Sequence, residues 1–280
     1  MTFSRPAGCA LVLLLGLVVF TACLRLISRS MIYPGSPFPM PSEAELSRRF
    51  PHAQLVEYQT EDGARLVGAL FQRPGSTAPV VVHFHGNGES AAHNLDYAAD
   101  LFRRGLDVFV AEYRGFGGLP GKPTETHLYR DGEAAVDALL KSGIAPERLV
   151  FVGRSLGSGV ATEMALRRPC ALLVLISPYT SMVDMGRIVA GPLAAFAVPD
   201  RYDNLQKIGR VQVPVVILHG VQDEAIPIRM GRRLASASPK IKLVEVPGAS
   251  HNVFPDLEEI LAREILEIAA GGLAGPPKSR

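Results

Sequence analysis

Leu149-Val150-Phe151-Val152-Gly153-Arg154-Ser155-Leu156-Gly157-Ser158-Gly159 is the stretch on which the reading of this chain turns. An apolar, β-branched run stops at Gly-x-Ser-x-Gly and passes directly into a helical pattern. Such a strand–turn–helix junction presents a serine on a tight, strained turn, with its Oγ standing clear of the sheet edge. Gly153 and Gly157 are required there because a side chain at either would collide with the neighbouring strand or helix. Two other readings compete. The glycines of 153–159 resemble a phosphate-binding loop, but no Lys-Ser/Thr pair follows to hold phosphate and metal. They would also serve close helix–strand packing alone. The remaining strands discriminate among these.

Working outward, strands and helices alternate. Gln54–Thr60 and Arg65–Phe71 flank Asp62-Gly63, a hairpin signal. Further strands are expected at Val80–His85, Asp107–Tyr113, Leu149–Val152, Ala171–Ile176, Val215–His219 and Ile241–Val246. Helical patterns lie between them, at about Ser90–Arg104, Thr124–Lys141 with Thr124 as N-cap, Ser155–Arg168, Ile228–Ala237 and Asp256–Ala269. Near-continuous apolar strands imply a parallel sheet covered on both faces. The expected fold class is therefore α/β, an eight-stranded mostly parallel sheet with helices on both faces. The apolar segment from Ser177 to Val211 falls between strands six and seven, where it would form a short cap. Its residues suit an acyl pocket or a core equally well.

In an open parallel sheet, ligands bind at the carboxyl ends of the strands. Ser155, Asp223 and His251 each follow such an end, in the order Ser…Asp…His. A neutral serine is a weak nucleophile, so a histidine is needed to take its proton and return it to the leaving group. A carboxylate fixes the imidazole tautomer. The backbone amides of Leu156 and Asn87 are the candidate donors to a tetrahedral oxyanion. Asp223 is also a plausible turn-former before Pro227, and Glu224, Asp200 and Asp203 are weaker carboxylate candidates. His83 and His85 share a strand face but lack the spaced carboxylate, His or Cys partners of a metal site; His85 is expected to order the Asn87 loop. Glu112-Tyr113-Arg114-Gly115-Phe116-Gly117 reads as a structural turn, with Arg114 tethering a neighbouring loop. Neither metal nor organic cofactor is required by this chemistry.

The first 30 residues read differently, as a targeting segment. Ala10–Phe20 is almost wholly apolar, shorter than the ~20 residues of a spanning helix but suited to a secretory h-region. Phe20-Thr21-Ala22-Cys23 resembles a bacterial lipoprotein processing box, with Cys23 the candidate for lipidation. The competing reading is an uncleaved anchor over about Ala10–Ile27, whose orientation Arg5, Arg25 and Arg29 leave open. Either route attaches the chain to a membrane, in a bacterial cell envelope, on an unassigned face. Residues 31–53, with Pro34, Pro37, Pro39 and Pro41, are expected to form an extended linker, 54–270 the folded domain, and 271–280 a flexible tail. A net charge of +2, with Arg scattered among acids, gives nucleic-acid binding no support. Of the 3 cysteines, Cys9 and Cys23 lie in the first segment and Cys170 reads as a small buried hydrophobe, so no disulfide framework is implied.

Six motifs occur in order: His85-Gly86-Asn87-Gly88, Tyr113-Arg114-Gly115-Phe116-Gly117, Gly153-Arg154-Ser155-Leu156-Gly157, Ser177-Pro178-Tyr179-Thr180-Ser181, Asp200-Arg201-Tyr202-Asp203-Asn204, and His219-Gly220 followed by Asp223 and Pro227. Together they resemble the α/β-hydrolase superfamily over about Gln54–Ala269. They are similar to a membrane-anchored, short-cap branch that includes protein depalmitoylases and esterase-like bacterial enzymes, related to serine aminopeptidase-like hydrolases. The resemblance implies an acyl-enzyme serine hydrolase acting on a small acyl ester or thioester, with a serine peptidase or amidase as the alternative. A non-catalytic binding module of the same fold is disfavoured, because the serine, aspartate, histidine and both elbow glycines are all present. Glu112 stands where Asp is more usual. The animal depalmitoylases carry a Cys-rich N-terminal stretch that this chain lacks, so their substrate is not carried over.

Overall fold

A computed structural model describes residues 5–271, without the side chains of residues 5–14, 17 and 193. Of the expected tail, 272–280 lie outside the described residues. The elements run α1 (Arg5–Ile32), α2 (Glu43–Arg49), β1 (Ala53–Gln59), β2 (Arg65–Phe71), β3 (Val80–Phe84), α3 (Leu95–Arg103), β4 (Asp107–Ala111), α4 (Glu125–Lys141), β5 (Leu149–Arg154), α5 (Leu156–Arg167), β6 (Leu172–Ile176), α6 (Met182–Ala190), α7 (Asn204–Ile208), β7 (Val215–Gly220), α8 (Ile228–Ala235), β8 (Ile241–Val246) and α9 (Leu257–Ala270).

One eight-stranded sheet results, in the order β1-β2-β4-β3-β5-β6-β7-β8. The β1–β2 and β2–β4 pairs are antiparallel and all others parallel. The hairpin turns at Gly63, whose φ of 87° is open to glycine without strain. The apolar strands divide their side chains between two cores by the period of two. Val82, Phe84, Phe151, Leu173 and Leu175 face α4, α5 and α8. Val81, Val150, Val152, Val174 and Ile176 face α3 and α9. Each such fully buried side chain contributes about 1.5–3 kcal/mol of apolar transfer. Helix α4 starts where its cap dictates: the Thr124 hydroxyl accepts the His127 amide at 3.2 Å.

Two expectations need correction. The Pro-rich stretch 31–53 is not an extended linker throughout. Ser42 and Glu45 form a reciprocal capping box that starts α2, and Leu46 is fully buried against the domain. Glu43 also accepts the Leu55 amide at 2.8 Å, which ties α2 to β1. The signal was Ser-x-x-Glu directly after the prolines. The fourth strand, in turn, ends at Ala111 rather than Tyr113. There the Glu112 carboxylate turns inward and captures the Tyr113 and Ala91 amides, both at 2.9 Å.

Helix α1 meets the domain at its C-terminal end. Arg29 pairs with Asp200 at 3.0 Å, and the Asn87 side-chain amide donates to the Met31 carbonyl at 3.3 Å. The Tyr33 and Tyr202 hydroxyls are hydrogen-bonded at 3.0 Å. Leu15, Val18, Val19, Phe20, Leu26 and Ile27 are exposed, as is Cys23. The most apolar part of the expected segment, from Ala10, lies partly outside the described side chains. Among the described residues no helix is long and apolar enough to cross a membrane.

Candidate active site

The site assembles on the carboxyl edge of the sheet. Ser155 joins β5 to α5 with φ 51° and ψ −116°, a conformation that costs an L-residue about 1–3 kcal/mol and must be held by its surroundings. What holds it is crowding. A Cβ on Gly153 would lie 2.4 Å from the Gly157 carbonyl oxygen, and one on Gly157 would lie 2.0 Å from that of Phe84. The Ser155 amide donates to the Ile176 carbonyl on β6 at 3.0 Å. Leu156 opens α5, and its amide, among the first of the helix, has no carbonyl within the helix to bond.

Asp223 and His251 come together as expected. Asp223 leaves β7 in a turn where its Oδ1 accepts the amides of Ile226 at 2.7 Å and Ala225 at 3.1 Å. The turn-former reading therefore holds, and the same side chain also faces His251. His251 Nδ1 lies 3.1 and 3.0 Å from the two carboxylate oxygens. Burial raises the affinity of Asp223 for a proton, but the facing imidazole and the Ile226 amide outweigh it and hold the carboxyl below its ordinary range. An ionised Asp223 accepts from Nδ1–H, which leaves Nε2 of His251 as the basic nitrogen. His219 supports this turn from beneath, with Nε2 donating to the Ile226 carbonyl at 2.8 Å. Among the described residues, no hydrogen bond within 3.5 Å joins Ser155 to His251.

The other carboxylate candidates lie elsewhere. Glu224 accepts the His251 backbone amide at 3.4 Å, Asp200 holds Arg29 and the Glu125 amide, and Asp203 caps α7.

Asn87 sits in the turn after β3 that abuts the elbow: a Cβ on Gly86 would be 3.6 Å from the Ser155 Cβ. His85 fixes the start of this turn. Its Nδ1 faces the Gly86 carbonyl and its Nε2 the Glu112 carboxylate, each at 2.8 Å. Both partners are acceptors, an arrangement that favours the ring with both nitrogens protonated. Burial opposes that charge, yet Glu112 outweighs burial and raises the His85 pKa. Arg114 grips Asp62 at 2.8 and 2.9 Å and Asp131 at 2.6 Å. It therefore tethers the β1–β2 turn to α4, with its own guanidinium engaged by the two carboxylates. The cap proves to be α6, a 3-10 turn at Pro192–Phe196 and α7. Cys170 is buried, which pushes its thiol up to about 12. Two residues escaped the sequence reading, Glu89 and Arg154, which pair at 2.6 Å beside the elbow.

The comparisons agree with this architecture. Residues 75–202 match the family model described as serine aminopeptidase, S33. An uncharacterized protein of Mycobacterium tuberculosis is 36% identical over 230 residues, covering 80% of each chain. Human alpha/beta hydrolase domain-containing protein 17B is 34% identical over 198 residues, covering 69% of this chain and 67% of its own. The solved esterase PF2001 of Pyrococcus furiosus superposes with a TM-score of 0.66 at 18% identity, over 86% of this chain and 98% of that one. With this sheet order, this strained serine turn and these relatives, the chain belongs to the α/β-hydrolase superfamily.

Proposed function

We propose that the protein is a serine hydrolase that cleaves carboxylic esters or thioesters through an acyl-enzyme on Ser155. The observation that carries this reading is the Asp223–His251 pair, bonded at 3.0 Å across the loops after β7 and β8, at the same sheet edge as a serine on a strained elbow. In the proposed cycle, Ser155 Oγ attacks the acyl carbon while its proton passes to His251 Nε2. The amides of Leu156 and Asn87 receive the oxyanion. The C–O or C–S bond then breaks, and His251 returns the proton to the departing alkoxide or thiolate. Water, deprotonated by the same nitrogen, releases the acid and restores Ser155. No metal or organic cofactor enters these steps.

A fluorophosphonate probe is expected to label the protein, and Ser155→Ala to abolish both labelling and turnover of p-nitrophenyl acyl esters. Full turnover by that variant would refute the mechanism. A peptidase or amidase on the same residues is the second reading, favoured by the match to the serine aminopeptidase model over residues 75–202. A panel of ester, thioester and aminoacyl-amide substrates separates the two. The reading includes membrane attachment through α1, supported by its exposed apolar side chains. Palmitate labelling of wild type against Cys23→Ala distinguishes a lipidated Cys23 from an anchor, and protease accessibility assigns the face.

A further inference from the structure

Arg154, the residue before the nucleophile, ends β5 with its guanidinium stretched between two other loops. Nη1 donates to Glu89 Oε1 at 2.6 Å, in the loop that carries Asn87. Nη2 donates to the backbone carbonyl of His251 at 3.0 Å. Glu89 is held from its other side, since its Oε2 accepts the Asn94 side-chain amide at 3.0 Å. The Glu89 carboxylate also approaches the elbow closely: a Cβ on Gly86 would stand 3.2 Å from Glu89 Oε1 and 3.6 Å from the Ser155 Cβ. A negative charge so near a developing oxyanion opposes it unless a cation is already paired with it. A planar guanidinium can hold two acceptors at a fixed angle, which a lysine ammonium does not reproduce.

We propose that Arg154 is a positioning residue that ties the Asn87 and His251 loops to the nucleophile strand and screens the Glu89 carboxylate from the reacting acyl carbon. Two separable effects follow. Geometrically, one side chain sets the distance between the oxyanion turn and the base. Electrostatically, it converts Glu89 from an obstacle into a strut. Glu89 itself responds as the pairing requires: burial pushes its carboxyl up, but Arg154, then His85 and Asn94, hold it below the ordinary value. Behind the pair lies a cavity of about 410 Å³, bounded by Glu89, Arg154, Tyr97, Asn252 and Glu258. It gives a small cation a route to Glu89 when the arginine is shortened.

The inference rests on the Ser155 reading, and the tests keep the two apart. Arg154→Met is expected to slow fluorophosphonate labelling of Ser155 and to lower kcat on a p-nitrophenyl ester by about 10²-fold, the scale of a small misplacement of reacting groups, with KM nearly unchanged. Adding Glu89→Gln to Arg154→Met removes the stranded charge and recovers part of that loss. Arg154→Lys, which keeps the charge and most of the volume, falls between wild type and Arg154→Met. Guanidinium at millimolar concentration accelerates Arg154→Ala and leaves wild type unaffected. Hydrogen exchange over residues 247–256 rises in Arg154→Met, a readout that needs no turnover. Wild-type labelling rates and unchanged exchange in both Arg154→Met and Arg154→Lys overturn the proposal. So does a loss that neither Glu89→Gln nor guanidinium relieves. If wild-type Ser155 is not labelled, the hydrolase reading falls, while the exchange difference still decides whether Arg154 is the tether.

Discussion

Asp223 carries two loads on one carboxylate, the Ile226 turn and the His251 imidazole. Asp223→Asn keeps the shape but presents an amide to Nδ1, which favours the wrong tautomer of the imidazole. kcat on p-nitrophenyl esters is expected to fall by about 10⁴-fold with little change in KM, by analogy with the same exchange in a serine protease. A loss under tenfold would assign the orienting role elsewhere. His85 makes a different prediction, in stability. Burial lowers its pKa but the Glu112 carboxylate outweighs burial, with Glu89 and the Gly86 carbonyl adding to it, so the folded value is raised. A raised value means that the stabilisation is full below about pH 6.5, the unfolded histidine value, and fades as pH rises through the folded one. Denaturation midpoints of wild type should therefore decline above neutrality, and those of His85→Gln should be flatter over the same range; parallel curves would exclude the ion pair. At this scale Ser155, Asp223 and His251 were legible as candidates because each follows an expected strand end, and His85 because it closes one. Arg154 and Glu89 were not. Arg154 occupies the variable position of Gly-x-Ser-x-Gly, and its partners come from the loops after β3 and β8, far away in the chain.

Among the elements, the alternating strands and helices were legible from hydrophobic period and punctuation, down to Thr124 as the cap of α4. Short elements were missed. Helix α2 has 7 residues, too few for a period to emerge, and the four prolines before it drew the reading toward an extended chain. What makes it a helix is local, the Ser42–Glu45 box, and what makes it stay is the burial of Leu46 beneath it. Leu46→Ala removes a fully buried side chain and is expected to cost about 2–5 kcal/mol in urea unfolding. A loss below 0.5 kcal/mol, on the order of a surface substitution, would mean that α2 is only loosely attached. The α6–α7 cap was located by its place between β6 and β7, but its helices were not foreseen. Its apolar residues serve core and surface alike, and composition does not separate the two.

For the molecule as a whole, the position of α1 relates the site to its surroundings. Leu15, Val18, Val19, Phe20, Leu26 and Ile27 are exposed along α1, interrupted by the exposed Arg25, a mostly apolar surface suited to an apolar medium rather than to water. The end of this helix touches the loop and cap that frame Ser155, through Met31 with Asn87 and Arg29 with Asp200. If α1 enters a bilayer, as proposed, these contacts hold the catalytic edge at the lipid surface, and acyl chains embedded there lie within reach. A charged side chain placed midway along a lipid-embedded helix costs about 2.5–3.5 kcal/mol on insertion scales. Val18→Arg with Val19→Arg should therefore release the full chain from carbonate-washed membranes into the supernatant. The same pair of changes, far from Ser155, should leave turnover of a soluble short-chain ester intact while reducing turnover of a long-chain ester presented in vesicles. Retention of the double variant on washed membranes, or equal loss on both substrates, would separate α1 from the membrane role and return it to a purely structural part of the domain.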